Sequence, residues 1–435
     1  MAKPLVQVSE WQPLVLPSHL DNPEIRQRIF RAGETKVGDV FRMRRNRLFA
    51  RDLVGLIDAG PLQIQIVPKL YDDSSVEDDA AVLFHLLTRL IAPEKVAVLP
   101  SSAKISNLPV MEPIYRQVAN DLYRLLLDGV PRRYYPIDAV ASTIRGRIDL
   151  TKVTRQHPGM HHLIPIRFSP LFQDNPLSRV LRALAERLSN LTRIAKTRET
   201  LLQCSDILHE AARVPLTPEL VNNLKLTRLE FDWLSLIRFA QLLVAGMTQD
   251  IARTGNHEGY GLVFPLDGLF EGLVKATIKR ALGKSDELRL RGSKGIGRLL
   301  RRNVDGIEVF RLKPDLVIDY RASGKIALIG DAKWKRLDHK KSALGIDEAD
   351  VYQLIAYMSR TEITSGVFFF PKTERDGPVL RQHCFESLED RKYIIVVEVD
   401  VESLITKDFN KQEHIDRMLR GLFENLVRSD MFLTA

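Results

Sequence analysis

The sequence predicts a multidomain α/β protein whose C-terminal region holds a mixed sheet flanked by helices. Two aliphatic runs of strand length, 316–320 and 326–330, are separated by a polar Ser-Gly turn. A helical apolar stripe follows at 350–358, and further strand-length aliphatic runs come after it. Strands that alternate with helices in this way are typical of a sheet covered by helices.

The chain has 435 residues, which is enough for two or three domains. We predict a β-rich N-terminal region over 1–110, a mainly helical middle region over 111–255, and a C-terminal α/β domain over 256–435. The second boundary rests on a glycine-spotted stretch at 255–261.

The N-terminal region starts with short strands and turns. Residues 53–57 and 62–67 form a predicted hairpin around an Asp-Ala-Gly-Pro turn. Gln63 and Gln65 alternate with aliphatic residues, so we expect the second strand to be half exposed. An acidic start and an apolar stripe predict a helix over 76–91.

Helical periodicity dominates the middle region. Helices are predicted over 113–127, 176–191, 199–212 and 218–246. Asp174 or Asn175 is the expected N-cap of the second of these helices, with Pro176 in its first turn. Residues 140–170 look irregular and polar.

The C-terminal domain is predicted to begin with a helix after Pro265, followed by a basic segment and the hairpin described above. A helix behind the hairpin then precedes strands over 365–370 and 393–399. The last predicted helix covers about 411–427.

The predicted hairpin brings charged residues from both strand ends together. Pairing across its turn places Asp315 opposite Gly330, and a bulge of one residue places Asp315 directly opposite Asp331. Cβ atoms that face each other are roughly 4.5–5.5 Å apart, a spacing that one divalent ion can bridge. Lys333 projects from the same face as Asp331. We therefore predict a Mg²⁺ site, with Mn²⁺ as a substitute, and a lysine that orients water or neutralises phosphate charge.

An Asp-x-Lys sequence is also common by chance, and the alternative is a sheet edge with ordinary turn carboxylates. Strand residues 330–333, however, carry two charges directly after a fully apolar run. Burying charges costs free energy unless they are paired or bind a metal. We therefore favour the catalytic interpretation.

Three residues outside the hairpin are further candidates. Gln353 and Tyr357 are four apart and share one helix face, although a helix that merely covers the sheet explains them as well. Glu271 lies in the first turns of the helix after Pro265. On spacing alone, we slightly favour a carboxylate placed there by the helix dipole.

A basic segment leads into the hairpin. The net charge is +9, and residues 289–313 hold eight basic residues against Asp305 and Glu308. A basic approach to an acidic metal pocket suits a polyanion such as DNA, although a solvated basic face is the alternative. The candidate DNA-binding residues are Arg291, Lys294, Arg298, Arg301, Arg302 and Lys313, with Lys335 beside the site.

Other features limit where and how the protein acts. Cys204 and Cys384 form no C-x-x-C pair, so we expect neither a zinc site of that type nor a disulfide framework. The absence of a signal sequence and of a long apolar run predicts a cytoplasmic protein with no membrane partner.

Gly283-Lys284-Ser285 resembles the end of a P-loop, but Ile278 occupies the first glycine position. Nucleotide hydrolysis would therefore come from another chain.

These elements together resemble the PD-(D/E)xK nuclease superfamily, and the Gln-x-x-x-Tyr pair is similar to its RecB-like branch. Most of the chain resembles the McrC family, the nuclease subunit of McrBC-type modification-dependent restriction systems. The blocks that carry this resemblance are Val54–Ile57 with Leu62–Lys69, Ile144–Asp149, Gln173–Arg179, Phe264–Pro265 with Leu269–Glu271, the hairpin, Tyr352–Tyr357, and Phe370–Pro371.

The resemblance implies a restriction-endonuclease-like C-terminal domain and a metal-dependent endodeoxyribonuclease for defence against phage and other foreign DNA. It also implies an McrB-like AAA+ GTPase (or ATPase) ring as partner, bound and stimulated through the N-terminal region. The implied catalytic residues are Asp315, Asp331, Lys333, Gln353 and Tyr357, and the implied metal ligands are Asp315, Asp331, Ala332 and Glu271.

Two other functions remain open on the sequence. A stand-alone RecB-like DNA repair nuclease would cut strongly with Mg²⁺ and no partner. A non-cutting activator or adaptor of an AAA+ NTPase would stimulate its partner without cleaving DNA.

Overall fold

A computed structural model of the chain describes residues 3–35, 38–91, 109–155, 158–160, 162–246, 261–292, 295–388, 392–406 and 408–433. It divides into two compact units, one formed by Met1–Val110 with Gly246–Ala435 and the other by Met111–Ala245. The regions delimited by sequence as 1–110 and 256–435 therefore lie in the same compact unit.

The helices and strands follow in chain order. The first part of the first unit contains β1 (Leu5–Ser9), α1 (Pro23–Ala32), β2 (Glu34–Thr35), β3 (Gly38–Asp39), β4 (Phe41–Arg44), β5 (Arg47–Ala50), β6 (Leu53–Asp58), β7 (Gln63–Val67) and α2 (Val76–Ile91). The second unit contains α3 (Met111–Asp128), β8 (Arg133–Tyr134), β9 (Ile137–Ala141), β10 (Arg147–Ile148), α4 (Leu150–Thr154), β11 (Ile164–Phe168), β12 (Leu171–Phe172), α5 (Pro176–Leu191), α6 (Ala195–Ile207), α7 (Pro218–Asn222) and α8 (Leu234–Gly246). The return to the first unit contains β13 (Gly261–Pro265), α9 (Leu266–Gly283), β14 (Leu288–Leu290), β15 (Gly297–Arg301), β16 (Glu308–Leu312), β17 (Leu316–Tyr320), β18 (Ile326–Ala332), α10 (Glu348–Thr361), β19 (Ser365–Pro371), β20 (Leu380–Glu386), β21 (Tyr393–Val399), α11 (Val401–Leu404) and α12 (Phe409–Leu433).

A four-stranded sheet in the order β1-β7-β6-β13 joins the two ends of the first unit. Strand β13 pairs with β6 in antiparallel register, with Val263 opposite Gly55. A Cβ on Gly55 would lie 2.1 Å from the carbonyl oxygen of Leu262, and its φ of +138° also favours glycine. Glycine at this position therefore allows the two strands to approach.

The expectation that β7 is half exposed is wrong. Gln63 and Gln65 are each 1% exposed. Their amides are used inside the fold, because Gln63 Nε2 donates to Asp58 Oδ2 (3.3 Å) and Gln65 Oε1 accepts from the backbone N–H of Val110 (2.7 Å). Alternation of polar and apolar residues therefore does not indicate exposure where the polar side chains have buried hydrogen-bond partners.

A six-stranded mixed sheet in the order β14-β17-β18-β19-β21-β20 forms the C-terminal part of the first unit. Strands β18, β19 and β21 run parallel, and the other pairings are antiparallel. Val367 and Phe369 of β19 pack on the face covered by α9 and α12, whereas Phe368 and Phe370 pack on the face covered by α10. Both faces are therefore apolar, as expected for a sheet between helices.

The second unit differs from its prediction in two places. Residues 140–170 are not wholly irregular, because β9, β11 and β10 form a small antiparallel sheet. Arg167 lies opposite Asp138 in this sheet and pairs with it at 2.6 Å. The predicted helix over 218–246 is broken into α7, a 3-10 turn over Arg228–Trp233 and α8. Glu230 anchors the break, since it accepts from the backbone N–H of Thr227 (2.8 Å) and pairs with Arg133 (2.7 Å).

The helix over 176–191 is confirmed, and its cap is Asn175. The Asn175 side chain accepts hydrogen bonds from the backbone N–H groups of Leu177 and Ser178 (3.0 and 3.1 Å). The predicted linker at 255–261 lies outside the described residues except for Gly261. Among the helices that the structure describes, none is both long and apolar enough to cross a membrane.

Candidate active site

The hairpin β17–β18 places Asp315 directly opposite Asp331. A register shift between Ile318 and Asp319 supplies the bulge that this alignment requires. The backbone N–H of Ala332 donates to Asp315 Oδ2 (3.0 Å), and the backbone N–H of Asp315 lies 3.4 Å from Asp331 Oδ1. Local strand pairing thus fixes both carboxylates at one end of the hairpin.

The two carboxylates are held in surroundings that disfavour two negative charges. Asp331 is 4% exposed and Asp315 is half-buried. Burial first, and then the negative charge of Asp331, raises the pKa of Asp315 to about 7. Two such acids are stabilised by a shared proton or by a cation between them.

Lys333 joins the pair as a permanent cation. Its Nζ lies 2.7 Å from Asp331 Oδ2 and 3.4 Å from Asp350 Oδ1. Burial lowers the pKa of Lys333, but the hydrogen bond and charge of Asp331, with Asp350 and Asp315, outweigh it and raise the pKa above its usual range. The ammonium therefore supplies positive charge rather than serving as a general base near neutral pH.

Gln353 and Tyr357 extend this cluster from α10. The Lys333 ammonium lies 3.4 Å from Gln353 Oε1, and Gln353 Nε2 donates to the Tyr357 hydroxyl (2.7 Å). Burial raises the pKa of Tyr357, so its hydroxyl stays protonated. The sequence candidates on this helix thus form a chain of contacts that ends on Lys333.

Glu271 lies on α9 and borders the acidic pair. Its negative charge also contributes to the raised pKa of Asp315. Its carboxylate pairs with Lys275 one helical turn later. Glu271 is therefore close enough to influence the site, while its own ion pair lies within the helix.

Two acidic residues of the site were missed in the sequence. Asp350 accepts from Lys333 and also from Lys335 (2.6 Å), and Asp267 accepts from the backbone N–H of Trp334 (3.0 Å). Asp350 stands one helical turn before Gln353 and on the same side of α10. That spacing was the signal that could have identified it.

The basic segment forms a two-stranded ribbon, β15–β16, that ends just before the hairpin. Arg298 donates to the Glu308 carbonyl, Arg301 pairs with Glu308 (3.3 Å), and Arg302 pairs with Asp305. All three arginines are exposed. These three predicted DNA-binding residues therefore face solvent on the ribbon.

The other predicted DNA-binding residues are placed differently. Arg291 is tied to the buried Asp319 (2.8 Å) and to the carbonyl of Gly324 (3.2 Å), so it braces the hairpin. Lys313 is exposed next to the site, and Lys335 is exposed and paired with Asp347 and Asp350. Lys294 lies outside the described residues.

Residues 48–371 match the model of a family described as McrBC 5-methylcytosine restriction system component. No curated protein sequence matches the chain.

Two solved structures that match the chain come from McrBC assemblies, and the first of them has a similar fold. One is a chain of the refined half-complex from the tetradecameric assembly of Thermococcus gammatolerans McrB AAA+ hexamers with bound McrC. It has a TM-score of 0.57 and 16% identity, over 96% of this chain and 100% of that one. The other, from the Thermococcus gammatolerans McrBC complex, has a TM-score of 0.48 and 16% identity, over 65% of this chain and 89% of that one.

Proposed function

The chain belongs to the family of McrBC 5-methylcytosine restriction system components, and we propose that it is an McrC-type subunit that cuts DNA in a Mg²⁺-dependent reaction. The observation that carries this proposal is the grouping of Asp315, Asp331 and Lys333 at the end of one hairpin. Two facing carboxylates and a fixed cation are the groups that metal-dependent phosphodiester hydrolysis requires.

The donor set fits Mg²⁺. That ion prefers oxygen ligands and is usually held by one or two carboxylates, with water and phosphate oxygens completing its shell. Asp315 and Asp331 would hold it, with the Ala332 carbonyl and Glu271 beside them. Their crowding, visible in the raised pKa of Asp315, is the electrostatic cost that a divalent cation offsets. When bound, the ion supplies Lewis-acid activation of water and neutralises phosphate charge.

The remaining residues of the site position charge. Lys333 keeps its proton and directs it toward the phosphate, where negative charge grows as the phosphodiester is attacked. Gln353 and Asp350 limit the directions in which the Lys333 ammonium can point. Tyr357 fixes Gln353 in turn. This order of contacts converts a flexible lysine into an oriented one.

The ribbon β15–β16 is the proposed DNA contact. A two-stranded ribbon has the width of the major groove of B-DNA. The ribbon presents exposed Arg298, Arg301 and Arg302, and exposed Val304 lies at its turn. Lys313 then connects it to the acidic pair, so DNA bound to the ribbon would lead into the site.

An McrB-like AAA+ NTPase is the proposed partner. In the structure with the TM-score of 0.57, McrC is bound to McrB AAA+ hexamers. The altered Gly283-Lys284-Ser285 segment provides no P-loop of its own, so nucleotide turnover would occur in that partner and be stimulated by this chain.

The test is cleavage of methylated DNA with Mg²⁺, nucleotide and the McrB-like partner. Asp331→Ala and Lys333→Ala are expected to lower the cleavage rate by at least about 100-fold, since Asp331 would hold the metal ion and Lys333 would stabilise negative charge on the phosphate. Partner nucleotide turnover should stay unchanged in both variants. Asp376→Ala and Lys340→Ala, two exposed residues away from the hairpin, are the matched controls.

Three other outcomes of this experiment would lead to different conclusions. Cleavage at the wild-type rate by both site variants would show that the site is wrongly assigned. A wild-type protein that stimulates its partner but cuts no DNA would be an activator. Full cleavage without the partner would identify a stand-alone nuclease.

A further inference from the structure

Three metal-binding side chains converge on the sheet away from the hairpin. Glu398 lies on β21 and His383 on the neighbouring edge strand β20. In the antiparallel register, Arg381 faces Glu398 and His383 faces Val396, so Glu398 and His383 rise from the same side of the sheet. His339 comes from the segment between β18 and α10 and reaches the same point.

The spacing of the three groups suits a single ion. His339 Nε2 lies 3.2 Å from Glu398 Oε2, and His383 Nε2 lies 3.1 Å from Glu398 Oε1. One ligand atom from each residue lies within 4.8 Å of the others. Two ligands bound tetrahedrally to Zn²⁺ at 2.0–2.2 Å are themselves roughly 3.3–3.6 Å apart, slightly longer than these two contacts.

The burial pattern also suits an ion. Glu398 is 1% exposed, whereas the two imidazoles are about one-third exposed. A buried carboxylate needs a compensating positive charge, and the exposed side of the two histidines leaves a route for an ion to enter. Two histidines and one glutamate are a recurrent Zn²⁺ ligand set that leaves a fourth position for water.

A cation is already close to this cluster. Arg381 Nη1 lies 3.4 Å from His339 Nε2 and 3.9 Å from Glu398 Oε1. Its other terminal nitrogen pairs with Glu374 at 2.9 Å. The Arg381 guanidinium therefore has an acceptor outside the cluster and can turn fully to Glu374 when an ion takes its place.

We propose that His339, His383 and Glu398 form a binding site for Zn²⁺ or a similar late first-row transition metal. The site is separate from the Asp315–Asp331 pair and is independent of the proposed nuclease function. Because His339 belongs to the segment that follows Lys333, a bound ion would tie that segment to β20 and β21. The expected role is structural: the ion would hold the segment between β18 and α10 against the sheet.

The test uses Co²⁺ as a spectroscopic probe of the full-length protein, with Zn²⁺ as competitor. The wild type should develop the visible absorption of Co²⁺ with nitrogen and oxygen ligands, saturating near one equivalent and reversed by Zn²⁺. His383→Gln and Glu398→Gln should each weaken binding by at least about tenfold. Glu398→Gln keeps the shape of the side chain, so circular dichroism should show an unchanged fold.

Two controls separate this site from others. Excess Mg²⁺, which competes for the Asp315–Asp331 pair but not for histidine ligands, should leave the Co²⁺ absorption unchanged. His414→Gln, which removes an exposed histidine on α12, should bind Co²⁺ as the wild type does. No Co²⁺ absorption, equal binding in all variants, or loss of the absorption in excess Mg²⁺ would each overturn the proposal.

Discussion

At the residue scale, one carboxylate links the two lysines that follow Asp331. Asp350 accepts from Lys333 at 3.4 Å and from Lys335 at 2.6 Å. It is 9% exposed, so little water competes for its carboxylate. We therefore predict that Asp350 acts as a positioning residue for Lys333.

Asp350→Asn should lower the maximal cleavage rate by about 10- to 100-fold while leaving the affinity for DNA nearly unchanged, because the loss of a positioning contact affects chemistry more than binding. Single-turnover cleavage and DNA-binding titrations measure the two effects. Asp347→Asn is the matched control, since Asp347 pairs with Lys335 at 2.5 Å. An equal loss in both variants would assign the effect to Lys335 instead.

The pKa of Glu10 predicts how the stability of the protein depends on pH. Burial raises the pKa of Glu10 to about 7, although hydrogen bonds from Trp334 Nε1 (2.9 Å) and the backbone N–H of Lys69 (3.0 Å) oppose the rise. The unfolded chain has the ordinary lower value. The folded state therefore binds a proton more tightly, and stability from this group is lost as pH rises from about 4.5 to about 7.

Glu10→Gln should remove that loss. At pH 8 the variant should be more stable than the wild type by up to about 3 kcal/mol, and the difference should shrink toward pH 4. Urea unfolding across this pH range measures it, with exposed Glu24→Gln as control. A stability difference that does not change with pH would contradict the assignment.

At the element scale, the ribbon β15–β16 is separate from the large sheet. Four of the five residues of β16 and all five of β15 are exposed or half-buried. Apolar Leu300 and Phe310 are 55% and 67% exposed beside the arginines. The exposed apolar side chains indicate an interaction surface, and the arginines beside them favour a polyanion.

The double variant Arg301→Ala with Arg302→Ala should weaken DNA binding and flatten its salt dependence. Each phosphate contact that is lost should reduce the slope of log K against log salt by roughly 0.9. Binding titrations over a salt series measure this slope. Arg116→Ala, an exposed arginine of α3, should leave it unchanged; a change of the same size there would mean that net charge, not the ribbon, determines the slope.

At the scale of the whole molecule, the C-terminal part depends on the N-terminal part. Strand β13 pairs along its length with β6, and Val82 and Leu86 of α2 pack in the same core as Phe270 and Leu273 of α9. Removing residues 1–110 would expose this apolar surface and leave β13 without a partner.

A fragment of residues 246–435 is therefore expected to be insoluble or unfolded alone, and soluble when residues 1–110 are co-expressed with it. Size-exclusion chromatography and circular dichroism of the two preparations distinguish these outcomes. A folded, monodisperse 246–435 fragment would show that the C-terminal part has an independent core.

Several parts of the fold could be predicted because they depend on neighbours in sequence. The strands around Asp315 and Asp331 and the cap at Asn175 follow from short-range pattern and spacing. The burial of Gln63 and Gln65 could not, because their partners Asp58 and Val110 are supplied by the folded chain. The helix break at Glu230 depends in the same way on distant Arg133.

The sequence by itself determined the hairpin and placed Lys333 on the same face as Asp331, because strand period and turn length are local properties of the chain. It left open whether Asp315 faces Gly330 or Asp331, and the bulge in the folded hairpin decided this. Only the tertiary structure decided that Asp350 contacts Lys333, that Arg291 braces Asp319, and that strand β13 joins the sheet of the N-terminal part. It also brought together His339, His383 and Glu398, which no sequence spacing connects. Contacts between residues far apart in sequence are fixed by packing and burial, and these are properties of the folded molecule as a whole.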